Sequence, residues 1–158
     1  MSKAFGRRWR GPKASLPKGG KREDLGFYVR SKWEANMVRF YRFTKTKFEY
    51  EVKEFEFVGL KRGNRFYKPD FYLVDEDRFV EVKGFLDKDS LVKLKRLRQY
   101  YPDAAAKLRL VIDRVFKRNA SLSKEASALI SIGFKIEQLQ SYSQIDANFR
   151  FLPCWEPR

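Results

Sequence analysis

The sequence contains no histidine and a single cysteine, Cys154. The first absence excludes Ser-His-Asp hydrolysis, histidine-ligated metal nucleases and zinc sites built on histidine. The second excludes an intrachain disulfide and a four-cysteine zinc site, and is compatible with a reducing cytoplasm. Any bound metal must then be held by oxygen ligands, which favours Mg²⁺, with Mn²⁺ able to substitute. No apolar run reaches the roughly 18 residues that span a bilayer. The opening stretch MSKAFGRRWRGPK has no apolar h-region, so a secretory signal is not expected. Acid is also scarce: 20 Asp and Glu stand against 35 Lys and Arg, a net charge of +15. Such a surplus repels itself and implies a polyanionic partner, nucleic acid first and an anionic membrane surface second.

What is present is enough for one folded domain. The chain has 158 residues, 43% of them hydrophobic and 16% aromatic, which is not the composition of a disordered protein. Residues 1–24 read as a flexible basic arm and 25–158 as the domain. The first 22 residues hold eight Lys or Arg and no acid, with Gly and Pro interspersed. Arg7, Arg8, Arg10, Lys13, Lys18, Lys21 and Arg22 are therefore candidate DNA contacts, with Phe5 and Trp9 placed among them to stack on bases.

Along the domain, Trp33, Met37, Phe40 and Tyr41 recur at helical spacing over 31–42. SKWE (31–34) fits a capping box with Ser31 as N-cap and Glu34 at N3. FEYEVKEFEFV (48–58) alternates as a strand whose phase slips at Lys53–Glu54, a bulge or break. A turn at 60–65 precedes strands at 66–74 and 78–83. A helix at 88–101 is expected to stop at Pro102, followed by a buried strand at 108–113, a helix at 121–132 and a last strand at 134–139. The final twenty residues show no clear period. The fold class is α/β: a mixed sheet flanked by helices, with an antiparallel meander first and parallel strands later.

The run FYKPDFYLVDEDRFVEVKG (66–84) places charge where a strand normally keeps apolar residues. In a strand over 78–83, Val80 and Val82 share one face, and Phe79, Glu81 and Lys83 the other. If the connection from the preceding strand has an even length, Asp70 lies opposite Glu81 or Lys83 on that face. That demands a two-residue turn, or a bulge, near 75–77. Two adjacent carboxylates repel, and a divalent cation resolves the conflict. Metal, carboxylates and a neighbouring lysine together suit phosphodiester hydrolysis.

PD at 69–70 and EVK at 81–83 resemble the PD-(D/E)xK nuclease superfamily, whose members share an αβββαβ, restriction-endonuclease-like core and often carry a Glu on the preceding helix, here Glu34. SKWEANMVRFY, FEYE, YKPDFYL, FVEVKGF and the YP of 101–102 look similar to phage-type endonuclease I, and the Glu, Asp and ExK layout is shared with archaeal Holliday junction resolvases. The resemblance implies a Mg²⁺-dependent endodeoxyribonuclease that resolves four-way junctions by paired nicks, as a homodimer in a prokaryotic or phage-infected cytoplasm. It implies Asp70 and Glu81 as metal ligands, Glu34 completing the site directly or through water, the Val82 carbonyl in reach of the metal, and Lys83 as the catalytic lysine. Arg30, Ser31 and Lys32, at the start of the Glu34 helix, would contact phosphate. Two other readings use the same residues: a nicking or restriction-like nuclease on duplex or mismatched DNA, and a noncatalytic DNA-binding protein. With no base-reading motif, recognition of shape and phosphate with steep salt dependence is expected.

Overall fold

The computed structural model describes residues 19–158. The basic positions Arg7, Arg8, Arg10, Lys13 and Lys18 lie outside them. A small hairpin, β1 (Gly20–Lys21) with β2 (Tyr28–Val29), leads into helix α1 (Lys32–Phe43). Ser31 is the N-cap as expected, its hydroxyl accepting from the Glu34 N–H. Strand β3 (Phe48–Tyr50) follows and ends at Glu51, whose φ of 50° turns the chain out of the sheet. The break expected at 53–54 therefore falls three residues earlier. β4 (Phe55–Glu56) belongs to a separate two-stranded sheet with β5 (Phe66–Tyr67).

The strand expected over 66–74 is two strands. Pro69 has no N–H to give a ladder, so pairing stops there and resumes in β6 (Phe71–Leu73). β7 (Arg78–Lys83) returns antiparallel to β6, with Leu73 opposite Arg78 and Phe71 opposite Val80. The connection is thus four residues, 74–77, rather than a two-residue turn. Its length is even, and the parity that aligns Asp70 with Glu81 is kept.

Helix α2 (Lys88–Tyr100) is capped by Asp87 and buries Leu94 and Leu97. Pro102 ends α2 and also opens a second helix, α3 (Pro102–Ala106), because a proline at the first helical position lacks only an N–H that would be unpaired anyway. β8 (Leu108–Ile112) runs parallel to β7. Helix α4 (Lys124–Ser131) is capped by Ser123 and closed by Gly133 at φ 101°. The strand expected at 134–139 is instead a 3-10 turn at Ile136–Gln138 followed by β9 (Leu139–Ser141), parallel to β8. The last twenty residues contain helix α5 (Tyr142–Phe149). The main sheet has the order β3-β6-β7-β8-β9, antiparallel on one side of β7 and parallel on the other, the mixed α/β architecture anticipated.

Two cores result, one on each face. Met37, Val38 and Tyr41 of α1 pack on Phe71, Val80, Val82 and Val111. Leu94, Leu97 and Leu129 pack on Leu108, Leu110 and Ile112. Each fully buried Leu, Val or Phe contributes roughly 1.5–3 kcal/mol. Residues 153–158 fold back onto α1. Asn36 donates to the Glu156 carbonyl and accepts the Glu156 N–H, while the Glu156 carboxylate takes hydrogen bonds from Arg22 and Arg39. No helix among the described residues is long and apolar enough to cross a membrane.

Candidate functional site

The site lies where β6 and β7 part. Continuing the register one step past Phe71–Val80 sets Asp70 against Glu81. One step further would oppose Pro69 to Val82, and the proline ends the ladder. The Val82 N–H turns instead to the Asp70 side chain, donating to Oδ2 at 2.6 Å. Val82 thus bears on the site through its amide and lines the cleft beside Asp70 and Glu81. Glu81 lies on the α2 face of β7, buried, with its Oε1 2.8 Å from the Lys83 Nζ. Glu34 arrives from the first turn of α1 and is buried as well. All four residues singled out in the sequence line one cleft of about 510 Å³, together with Arg30, Ser31, Lys32, Val82 and Phe85. Lys21 and Arg22 do not line it, and Arg22 is bound to Glu156.

Two tyrosines not singled out from the sequence hold the outer carboxylates. The Tyr67 hydroxyl donates to Glu81 Oε2 at 3.0 Å in a fully buried contact. The Tyr50 hydroxyl donates to Glu34 Oε2 at 2.6 Å, and the Arg30 N–H donates to the same oxygen. Glu34 Oε1 accepts from the Ser31 hydroxyl at 2.9 Å. Glu34 reaches back to the amide of Arg30, one residue before the position that a capping box uses. Alternation sets Tyr50 on one face with Phe48, but that each tyrosine ends on a carboxylate was not readable, since it depends on the breaks in pairing at Glu51 and Pro69.

Charge is unbalanced here. Burial, then the charges of Glu81 and Glu34, hold the Asp70 carboxyl well above the usual carboxylate range, against the Val82 amide and Lys83. Burial works to lower Lys83, but the charge and hydrogen bond of Glu81, with Asp70 beyond, outweigh it and its pKa is raised, so the amine stays a cation. Burial and the neighbouring carboxylates also raise Tyr67, so it remains a neutral donor.

The phosphate contacts expected at the helix start are partly engaged. Lys32 Nζ donates to the Pro157 carbonyl at 2.7 Å, Ser31 is spent on Glu34, and Arg30 pairs with Glu51. On α2, Arg98 donates to the Ile132 carbonyl at the end of α4, a structural role, while Lys88 and Lys95 are exposed.

Among the described residues, no group of three His, Cys, Asp or Glu side chains forms a set that could hold a metal ion as it stands. Both Glu34 oxygens are tied up by hydrogen bonds from Ser31, Tyr50 and Arg30. The Asp70–Glu81 pair is different. Its donors are hard oxygens, its negative charge is only partly offset by Lys83, and Asp70 Oδ1 carries no hydrogen bond from the described residues. The pair therefore fits a hard divalent cation, with Glu34 set back from it. Compared with known proteins, the chain matches no family model, and no similar curated protein or solved structure was found.

Proposed function

We propose that the chain is a divalent-metal-dependent DNA endonuclease, structure-selective, which resolves four-way junctions by paired nicks as a homodimer in the cytoplasm of a prokaryotic or phage-infected cell. The observation that carries the reading is the cross-strand alignment of Asp70 with Glu81, beside Lys83, in a cleft bordered by Arg30 and Lys32. A net charge of +15 supplies the attraction for a polyanion.

A Mg²⁺ held by Asp70 and Glu81 would supply Lewis-acid polarisation of the phosphate and an acidified water. The chain's own residues do the rest. Tyr67 fixes the Glu81 carboxylate, and the Val82 amide fixes that of Asp70. Lys83, held protonated, sits where charge develops on the phosphate oxygens and stabilises it. Arg30 exchanges its contact with Glu51 for a phosphate and orients the strand in the cleft. Glu34, locked at the helix start, orients a water rather than binding the cation directly.

The test is incubation with labelled four-way junction, matched linear duplex and single strand, in Mg²⁺ and in EDTA, beside Asp70→Asn, with sedimentation velocity giving the oligomeric state on the junction. Paired symmetric cuts in the junction alone, lost in EDTA and in the variant, are the expected result. Equal cutting of duplex moves the activity to a nicking or restriction-like nuclease. Tight binding without cutting in Mg²⁺ or Mn²⁺ overturns catalysis and leaves a DNA-binding protein.

A further inference from the structure

Two clefts meet at Glu81 and Lys83. The first contains the carboxylates. The second, of about 490 Å³, opens on the α2 side and shares Arg30, Glu81 and Lys83 with the first. Each has an exposed phenylalanine on its wall, Phe85 in the first and Phe66 in the second.

These rings are not used by the fold. Phe85 is 77% exposed, more than any other large hydrophobic side chain among the described residues, and it stacks on no ring. The preceding Gly84 lies in ordinary van der Waals reach of the Trp33 ring of α1. Phe66 is 44% exposed, and the Arg65 guanidinium sits 5.5 Å from its ring centre, a flat cationic-aromatic platform. Cations accompany both rings: Arg30, Lys32 and Lys83 in one cleft, Lys68 and Lys93 in the other. The second cleft also carries Asp87, which caps α2, Asp89, and Glu54, which pairs with Lys68 at 3.7 Å and would release it to a phosphate. A ring for stacking beside cations for phosphate is the composition of a surface for single-stranded nucleic acid.

Resting on the nuclease reading of the same site, we propose that Phe85 and Phe66 select substrates whose bases are unstacked on either side of the scissile phosphate: a single strand, a fork or the branch point of a junction. In continuous duplex both faces of every base are already covered by neighbours, and neither ring gains a partner. At a branch point or in a single strand an open base face stacks on Phe85, another on Phe66, and the intervening phosphate lies over Glu81 and Lys83.

The experiment measures binding in EDTA, where cutting plays no part, by fluorescence anisotropy of a labelled single strand, a four-way junction and a linear duplex. Proteins are the wild type, Phe85→Ala, Phe66→Ala and Phe85→Trp, each checked for native circular dichroism. Both positions are exposed, so the variants are expected to fold. Each alanine variant is expected to bind single strand and junction roughly 5- to 150-fold more weakly, the range for losing one base–aromatic stack, with duplex affinity unchanged. Phe85→Trp restores the affinity. Equal losses on all three DNAs, or none on any, overturn the proposal. So does a wild type that binds duplex as tightly as single strand. A wild type that shows the selectivity but cuts nothing in Mg²⁺ or Mn²⁺ retains the stacking inference and overturns the nuclease reading. One that cuts, with variants that bind normally, does the reverse.

Discussion

Helix α1 serves two charge clusters, one buried and one partly exposed, and they are built on opposite terms. At its first turn Glu34 joins Asp70 and Glu81 in a cleft where only Lys83 pairs with one of the three, Arg30 and Lys32 being turned to Glu51 and the Pro157 carbonyl. Further along, Asn36 and Arg39 join Asp24, Glu156 and Arg22, two carboxylates against two guanidiniums. The outcomes differ in sign. Asp70 is held well above the ordinary carboxylate range by burial and by its neighbours. Asp24 is lowered by its hydrogen bond to Arg39 despite some burial, and Glu156 is lowered by Arg22 and Arg39, which together outweigh its desolvation. A balanced cluster with every oxygen occupied holds the fold together. An unbalanced one stores repulsion, which on the proposed reading a bound cation would relieve.

The sharpest way to break that contrast is Asp70→Asn. It should abolish cleavage, a loss beyond the roughly 10–100-fold that outer-shell partners cost. It should also raise Tm in EDTA by roughly 2–4 °C, the shift that about 1 kcal/mol gives a domain of this size. The amide oxygen keeps the Val82 N–H satisfied while the repulsion with Glu81 disappears. Loss of activity with a lowered Tm would mean that Asp70 is a structural carboxylate.

In the balanced cluster Arg39→Ala should do the opposite. It removes the buried guanidinium that Asp24 and Glu156 share, and about 2 kcal/mol of stability should be lost, read from the urea midpoint. Cleavage by the remaining folded protein should be little changed. A cleavage defect larger than the stability defect would join the two clusters functionally.

Tyr67→Phe comes next. The ring stays packed and only the donor to Glu81 Oε2 is lost. Mn²⁺ affinity, followed by electron paramagnetic resonance, should fall roughly 10-fold. Unchanged affinity would show that Glu81 needs no such support.

The smallest effect is in the pH dependence of stability without metal. The folded-state pKa of Asp70 lies above its unfolded value of about 3.9, so as pH falls from neutrality the native state takes up a proton first and stability rises. Asp24 and Glu156 sit below their unfolded values, so their contribution is full above roughly pH 4.5 and is lost as pH falls through the lower folded values. Urea midpoints should therefore peak on the acid side of neutrality and then fall. Asp70→Asn should remove the rise and leave the acid limb.

The site was legible because its ingredients are local. Pro69-Asp70 and Glu81-Val82-Lys83 are eleven residues apart, and parity of one hairpin aligns them. Glu34 was readable as a helix-start residue from the capping pattern, and as a site residue only through the family resemblance. What escaped depends on distant partners. FKIEQL alternates like a strand, yet Gln138 spends its amide on the carbonyls of Ala105 and Leu108, fixing a 3-10 turn and delaying the strand to Leu139. Helix α5 showed no period because its buried set of Tyr142, Ile145 and Asp146 includes a carboxylate, which Trp155 and Arg150 satisfy. The Asp24–Arg39–Glu156 network joins residues that no sequence window brings together.

The fold-back of residues 153–158 onto α1 also has a kinetic consequence. Arg22 and Glu156 are 134 positions apart, so their contact closes a loop of nearly the whole domain, and that entropy is met only once the sheet between them exists. The clasp is therefore expected to form in the last stage of folding and to open in the first of unfolding. Weakening it with Glu156→Gln should hasten unfolding while leaving the refolding rate nearly unchanged, making this segment the latch that sets how long the native domain persists.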